Sequence, residues 1–226
     1  MYFCRTTGLR MFLYGLRGKR DPFARLAREQ ESCPTFTPTL FPAPLMIQLL
    51  PLQLAQAPIF YRWLQDPEVI RYSLSVFQDL TTLPQVEQWL AATLQDPRSL
   101  TLGIYLADTG ALIGYTGLSG ISARNQSGEY FILLGEKRYW GRGLGTEVTR
   151  QVLARGFQEL GLQRIMLTVS EPNQGALKAY LRAGFQLEGR LRQACYRQHA
   201  FHDKLVLAVL RSEWPALHAA RGGLQA

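Results

Sequence analysis

The spacing of apolar residues divides the chain from Met46 onward into short strands and helices. A strand-like run, MIQLLPL, comes first, and helical spacing follows over residues 56–64 and ends at Asp66-Pro67. Thr81-Thr82-Leu83-Pro84 is typical of a helix start, because it offers an N-cap and a proline in the first turn. The pattern predicts a second helix from there to Asp96-Pro97.

Three β-forming runs follow the second predicted helix. Residues 99–107 and 111–119 are separated by Asp108-Thr109-Gly110, which is typical of a short hairpin turn. The third run, residues 128–134, follows a polar loop over residues 123–127. Because short turns join neighbouring antiparallel strands, the pattern predicts an antiparallel meander.

The last part of the pattern alternates helices and strands. A long helix is predicted over residues 143–160, where apolar side chains cover one broad face and Gly161 offers a stop. The remaining predicted elements are a strand over residues 164–170, a helix over 173–183 and strands over 185–191 and 203–210. The order αα-βββ-α-β-α-ββ contains no internal repeat, and it favours an α+β domain.

The chain divides into three predicted segments. Residues 1–45 are basic and then rich in proline, with four prolines in SCPTFTPTLFPAPL, which argues against a regular helix or a central strand. We expect an extension that is disordered, a targeting arm or not native. One domain is predicted over residues 46–215, and residues 216–226 are a predicted tail.

Composition excludes several classes of protein. The net charge is +8, yet residues 1–45 hold seven Lys/Arg against three Asp/Glu, so the body is only mildly basic and nucleic-acid binding is not favoured. No apolar run is long enough to span a membrane. Cys4, Cys33 and Cys195 lack CxxC spacing, and His218 lies in the tail, so neither a disulfide framework nor a metal site is indicated. A cytoplasmic protein without a metal is expected.

A glycine-rich loop precedes the long helix. It reads Trp140-Gly141-Arg142-Gly143-Leu144-Gly145-Thr146. Alternate glycines let a ligand approach the backbone, and the N–H groups of a first helical turn favour a phosphate. Arg142 adds a charged donor. There is no Gly-Lys-Ser/Thr, and the loop follows a meander, so neither a P-loop nor a dinucleotide fold is favoured.

A second motif follows the strand over residues 164–170. Asn173 is followed by Ala176 three residues later and by Tyr180 seven residues later, and Gly184-Phe185 closes the helix. Together with the WGRGLGT loop and the order of elements, this segment closely resembles the GNAT acyltransferases over roughly residues 46–214. Glu188-Gly189, Tyr196, His202-Asp203 and Glu213-Trp214 resemble the RimJ/RimL-like branch. One departure is Trp140, where many members have Gln or Arg.

The resemblance implies a fold and a cofactor site. The expected fold is a central, mostly antiparallel sheet of about seven strands, flanked by helices and splayed between residues 130–134 and 164–170, with acetyl-CoA in the gap. Strand-edge amides near Leu133 and Gly135 would bind the pantetheine and polarise the thioester carbonyl. The pyrophosphate and the pantetheine arm would contact the loop and the following helix, at Trp140, Gly141, Arg142, Gly143, Leu144, Gly145, Thr146, Asn173 and Ala176.

Direct transfer of an acetyl group to a primary amine needs proton transfer at two places. Tyr180 resembles the family's general acid, which would donate a proton to the CoA thiolate in a ternary complex. Glu129, before the cofactor site, is the candidate base, acting directly or through water, and Glu136 is a second carboxylate nearby. Each carboxylate could equally be a solvated charge, and the base could be water alone.

The sequence does not identify the acceptor amine. A protein N-terminus, a polyamine or another small amine fits the chemistry, although the mildly basic body disfavours a polycation. The first two helices are expected to flank the acceptor cleft. The alternative function is a non-catalytic sensor of acyl-CoA or an interaction module, and a homodimer remains open.

Overall fold

The computed structural model describes residues 45–214, and these carry seven strands and five α-helices. The predicted tail and nearly all of the predicted N-terminal extension lie outside the described residues. The strands are β1 (Ile47–Pro51), β2 (Leu100–Leu106), β3 (Leu112–Ser122), β4 (Ser127–Leu134), β5 (Arg164–Ser170), β6 (Gln186–Arg197) and β7 (Ala200–Leu210). The helices are α1 (Ala57–Leu64), α2 (Pro67–Ile70), α3 (Leu83–Gln95), α4 (Leu144–Ala154) and α5 (Gln174–Ala183).

All seven strands form one sheet in the order β1-β2-β3-β4-β5-β7-β6. Neighbouring strands are antiparallel except for β4 and β5, which are parallel. The pairing of β4 with β5 involves only three residues of each strand and ends at Glu129 and Met166. Beyond that point the two strands diverge. The predicted α+β fold with a mostly antiparallel, seven-stranded sheet is therefore confirmed.

A hydrophobic core lies on each face of the sheet. The first contains Val148 and Val152 of α4 with Ile165 and Leu167 of β5. The second packs α1 and α3 against the opposite face, for example through Phe60. Side chains alternate between the two faces along each strand. The alternation sends Tyr130 to the first core, while Phe131 and Leu133 face α1 and α3.

The structure differs from the predicted elements at three places. Asp66-Pro67 ends α1 as predicted but also starts α2, because the Asp66 carboxylate caps the Glu68 N–H at 3.0 Å. The predicted long helix is α only to Ala154, and a wider π turn over Arg155–Glu159 completes it. The final hairpin of β6 and β7 is longer than predicted and turns at residues 198–199.

Candidate active site

Two cavities meet where β4 and β5 diverge. The loop cavity, of about 490 Å³, is bounded by the glycine loop, the end of β4 and the first turns of α5. The aromatic cavity, of about 580 Å³, lies on the opposite side of the gap, and its lining includes Phe77, Trp89, Tyr115 and Phe131. Six residues line both cavities: Tyr72, Ser73, Ile132, Leu133, Asn173 and Tyr180. Two ligands, one bound in each cavity, would therefore meet at these six residues.

The glycine loop presents backbone amides to the loop cavity. Gly141 and Gly143 have φ values of 71° and 80°, which are left-handed conformations that glycine adopts without strain. Gly143 is the N-cap of α4, and its carbonyl accepts from Thr146 at 3.1 Å and Glu147 at 3.2 Å. The amides of Leu144 and Gly145 precede these first internal bonds of α4, so the helix does not use them.

Trp140 holds the glycine loop against the end of β4. Its indole N–H donates to the Leu134 carbonyl oxygen at 2.9 Å, and its side chain lines the loop cavity. Arg142 lies over the ring of Tyr139, with 5.7 Å from the guanidinium carbon to the ring centroid. The residue that departs from the usual motif is thus a structural link between loop and strand.

The amides of β4 face differently from the prediction at Gly135. The Gly135 N–H donates to the Ile113 carbonyl at 2.9 Å, so it is directed to β3 and is not an unpaired edge amide. Amides of one strand alternate in direction, so Leu133 also faces β3, whereas Ile132 and Leu134 face the gap. The bond from Trp140 to the Leu134 oxygen agrees with this direction. The amides of β4 that are free of strand pairing in the gap are therefore those of Ile132 and Leu134, and not those expected at Leu133 and Gly135.

Gly135 has a different role in the structure. A Cβ atom at this position would lie 2.0 Å from the indole ring of Trp63. Only glycine lets α1 pack this closely to the end of β4. The side chain of Leu133 still lines both cavities, but its amide does not face them.

Asn173 starts α5 at the junction of the cavities. Its Oδ1 atom accepts from the Ala176 N–H at 3.2 Å, which makes Asn173 the N-cap of the helix. The side-chain amide group of Asn173 retains its donor capacity. Ala176, with Gly175 and Ala179, forms the small-residue wall of α5 along the loop cavity.

Tyr180 lies on α5 between the two cavities. Its ring packs edge-on against Tyr130 at 5.9 Å and contacts Phe185 at 6.0 Å between centroids. Burial of the phenol raises the pKa of Tyr180 well above its usual value, so the side chain is protonated at neutral pH. The Tyr130 hydroxyl is paired with Thr149 Oγ1 at 3.0 Å, and burial raises its pKa in the same direction.

The two candidate carboxylates have different surroundings. Glu129 is exposed and lines the aromatic cavity at the point where β4 leaves β5. It precedes Leu133 by four residues, which is about 13 Å along a strand. Glu136 accepts from Trp63 Nε1 at 3.0 Å and is paired with Arg62. Glu136 is therefore part of the contact with α1 and lines neither cavity.

The aromatic cavity also has polar residues that the sequence motifs did not identify. Lys204 lines it and lies opposite Ser170 in the pairing of β7 with β5. Arg197 lines it from the end of β6. Thr101 lines it too, and its Oγ1 is the single buried side-chain N or O atom between residues 45 and 214 without a hydrogen-bond partner. No local sequence signal marked these three positions.

Of the two helices expected to flank an acceptor cleft, α3 lines the aromatic cavity directly and α1 does not. Trp89, Ala92 and Thr93 of α3 contribute to the aromatic cavity, whereas α1 packs behind them through Phe60. The rings of Phe60 and Trp89 are 5.8 Å apart between centroids.

Asp203 and Cys195 of the final hairpin make contacts with neighbouring parts of the sheet. Asp203 accepts from the Gln193 N–H at 2.7 Å and is paired with Arg190. Cys195 is buried, with its sulfur 3.4 Å from Ser170 Oγ. Within the described part of the chain, no cluster of three or more His, Cys, Asp or Glu side chains is arranged to hold a metal ion.

Residues 47–186 match a family described as an acetyltransferase (GNAT) domain. This range is well over half of the chain and contains the glycine loop, Asn173 and Tyr180. The chain belongs to the GNAT acetyltransferase family. It is therefore an acetyl-CoA-dependent N-acetyltransferase, and the two cavities on either side of the divergent strands are its candidate cofactor and acceptor sites.

Several GNAT relatives resemble the chain along much of their length. The uncharacterized N-acetyltransferase YoaA of Bacillus subtilis (strain 168) is 32% identical over 149 residues, which cover 65% of this chain and 82% of YoaA. The spermidine N(1)-acetyltransferase of Escherichia coli (strain K12) is 25% identical over 113 residues, which cover 50% of this chain and 60% of that enzyme. One relative of lower sequence identity is thus an enzyme whose name states its acceptor, spermidine.

The GNAT fold is also found in a solved structure of low sequence identity. The spermidine N-acetyltransferase of Vibrio cholerae, crystallised with CoA and spermine, matches with a TM-score of 0.67 and 20% identity. The match covers 75% of this chain and 98% of that one. Within the described residues, no helix is both long and apolar enough to cross a membrane.

Proposed function

We propose that this GNAT domain transfers the acetyl group of acetyl-CoA directly to a primary amine, with acetyl-CoA in the loop cavity and the amine in the aromatic cavity. The observation that carries the proposal is that Tyr180 and Asn173 line both cavities. The thioester and the amine would meet there without an acyl-enzyme intermediate. The RimJ/RimL-like branch is part of this proposal.

The backbone supplies the binding groups for the cofactor. The amides of the glycine loop and of the first turn of α4 would hold the pyrophosphate, assisted by Arg142. The gap-facing amides of Ile132 and Leu134 replace those of Leu133 and Gly135 as donors to the pantetheine and the thioester carbonyl. A donor fixed at that carbonyl stabilises the oxyanion that forms when the amine attacks.

Tyr180 is the proposed general acid. When the tetrahedral intermediate collapses, the carbon–sulfur bond breaks and its electron pair remains on the CoA sulfur. The protonated phenol of Tyr180 then gives its proton to that thiolate. The burial that raises the pKa of Tyr180 also disfavours a buried thiolate, so the transfer relieves a charge in the gap.

The six described residues that line both cavities include no carboxylate that could accept the proton of the incoming amine. Glu129 lines the aromatic cavity about 13 Å along β4 from Leu133, and it is the neighbour of Tyr130, whose ring packs against Tyr180. We propose that Glu129 acts through water or that the amine enters already neutral. Because Glu136 is paired with Arg62 and Trp63, it is not part of this proposal.

The proposal is tested with Tyr180→Phe in a calorimetric titration of acetyl-CoA and an assay of thiol release across amine acceptors. Loss of a general acid lowers kcat by about 10²–10⁴-fold, while acetyl-CoA binding is retained. Tyr196→Phe is the matched control, since Tyr196 is 52% exposed and lines neither cavity. Unchanged kcat in Tyr180→Phe would show that another group protonates the thiolate. No heat with acetyl-CoA would contradict the cofactor site.

A further inference from the structure

We infer that the acceptor of this enzyme carries an anionic group, a carboxylate or a phosphate, close to its amine, and that polyamines are poor acceptors. This inference rests on the proposed function, because it concerns the ligand of the aromatic cavity. It derives from the charges that line the cavity wall formed by Thr168, Ser170, Arg197 and Lys204, which we call the basic wall.

The charge of Lys204 is uncompensated. Lys204 is partly buried, lines the cavity, and makes no ion pair with any residue between 45 and 214. Asp203, which precedes Lys204 in β7, and Glu171, which follows Ser170, are both paired with Arg190. Lys204 therefore contributes a positive charge to the cavity wall that no ion pair within the described residues neutralises.

Arg197 adds a second cation, and its hydrogen bonds within the described residues are all to neutral oxygens. Its guanidinium donates to the Ser73 carbonyl at 2.9 Å, to the Tyr196 carbonyl at 2.8 Å and to Ser75 Oγ at 3.4 Å. These bonds fix the position of the guanidinium without neutralising it. Ser73 also lines the junction of the two cavities, so this cation lies beside the reaction centre.

The carboxylates that line the aromatic cavity lie elsewhere. Asp96, at the end of α3, accepts from Ser99 Oγ at 2.6 Å and from the Arg98 N–H at 3.0 Å. Glu129 lies opposite Met166 of β5, whereas Lys204 lies opposite Ser170 of the same strand. Met166 and Ser170 are four residues apart, so the positions of Glu129 and Lys204 are separated by about 13 Å along β5. The end of the cavity near the junction is therefore cationic.

Hydroxyl groups complete an anion site on this wall. Ser170 lies opposite Lys204 on the same face of the sheet, and Thr168 is two residues before it on that face. A carboxylate or phosphate there could accept from the ammonium of Lys204 and from these hydroxyls. A second ammonium, as in a polyamine, would be repelled by Lys204 and Arg197.

The experiment compares matched acceptors in the thiol-release assay. Each pair shares an amine and differs by one anionic group. Phenylalanine has a carboxylate that phenylalaninamide lacks, which is one negative charge, and phosphoethanolamine has a phosphate that ethanolamine lacks, which is about 1.5 to 2 negative charges at pH 7. Rates are expressed per neutral amine, and spermidine represents the polycations. We expect the anionic member to have roughly 10–100-fold higher kcat/KM, as for a partly desolvated charge pair, and spermidine to be the poorest acceptor. The first pair tests a carboxylate and the second a phosphate.

Variants at Lys204 test whether the basic wall causes the preference for anionic acceptors. Lys204→Gln is expected to raise KM for the anionic acceptors about tenfold and to leave KM for their uncharged partners and acetyl-CoA binding unchanged. Lys204→Glu is expected to reverse the preference toward spermidine. Arg124→Gln, in the loop between β3 and β4, removes one positive charge outside both cavities and is expected to change neither KM.

The outcomes separate this inference from the proposed function. Equal kcat/KM for the anionic and uncharged acceptors would contradict the inferred anionic acceptor, and so would a preference for spermidine. In either case the acetyltransferase proposal stands. The same conclusion follows if Lys204→Gln affects charged and uncharged acceptors equally. Absence of thiol release from every acceptor, with a folded protein, would contradict both.

Discussion

The indole nitrogen of Trp140 donates a hydrogen bond of 2.9 Å to the carbonyl oxygen of Leu134. This bond joins the start of the glycine loop to the last residue of β4, whose amide faces the gap. Many GNAT enzymes have Gln or Arg in place of Trp140. In this chain the tryptophan links the proposed pyrophosphate site to the proposed thioester site through the backbone.

Replacement of Trp140 by Phe is expected to weaken acetyl-CoA binding while the fold persists. The ring is largely retained, but the hydrogen bond is lost, and a bond of this kind contributes about 0.5–1.5 kcal/mol. The expected rise in Kd is therefore roughly 2–12-fold, measured by calorimetric titration. An unchanged Kd would show that the bond does not position the loop.

Glycine is expected to be required at position 143 because of its left-handed backbone conformation, and not because a larger side chain would clash with neighbouring atoms. Its φ is 80°, and a Cβ atom there would have no neighbour within 4 Å. Gly143→Ala should lower the free energy of unfolding by about 1–2 kcal/mol, the cost of a left-handed residue. Urea unfolding followed by circular dichroism measures the change.

Gly175→Ala is the matched control for Gly143→Ala. Gly175 lies in the first turn of α5, and a Cβ atom there also has no neighbour within 4 Å, but its φ is not positive. Alanine should raise the free energy of unfolding by about 0.5–1 kcal/mol, because glycine is the poorer helix former. Changes of the same sign in both variants would refute the conformational argument.

Thr101→Val is expected to stabilise the protein. Thr101 Oγ1 is buried without a hydrogen-bond partner, and valine has nearly the same shape and suits a strand. Removing the unsatisfied hydroxyl should raise the free energy of unfolding by about 1–3 kcal/mol. Thr116→Val is the control and should be destabilising, because the buried Thr116 hydroxyl donates to the Phe131 carbonyl at 2.8 Å. A loss of stability in Thr101→Val would contradict this account.

Asp203 is expected to contribute to the loss of stability in acid. The Gln193 N–H and then Arg190 lower the pKa of its carboxyl group below the ordinary value. Its contribution to stability is complete above the unfolded pKa of about 3.9 and is lost as the pH falls through the lower folded pKa. Urea unfolding of wild type and Asp203→Asn at pH 6 and pH 3 should show a smaller pH dependence in the variant. Equal pH dependence would contradict the assignment.

Much of the fold follows from local patterns in the sequence. Asp108-Thr109-Gly110 marks the turn between β2 and β3, and Thr82 with Gln85 forms the capping box of α3. Such signals act over a few residues, because periodicity, capping and turn conformations depend on neighbours in the chain. The π turn over Arg155–Glu159 is not predicted by such local signals, because it packs against a strand that is not its neighbour in a turn or cap. It passes so close to β5 that a Cβ on Gly156 would lie 2.5 Å from Ile165.

The sequence by itself determined the order of elements, the glycine loop and the spacing of Asn173 and Tyr180 that indicates the GNAT family. Only the tertiary structure decided that the amides of Ile132 and Leu134 face the gap, that Glu136 is paired with Arg62, and that Lys204 lies opposite Ser170. The physical reason is that local motifs depend on backbone conformation over one or two turns. The direction of an amide, the partner of a charge and the wall of a cavity depend on strand register and on residues far apart in the chain.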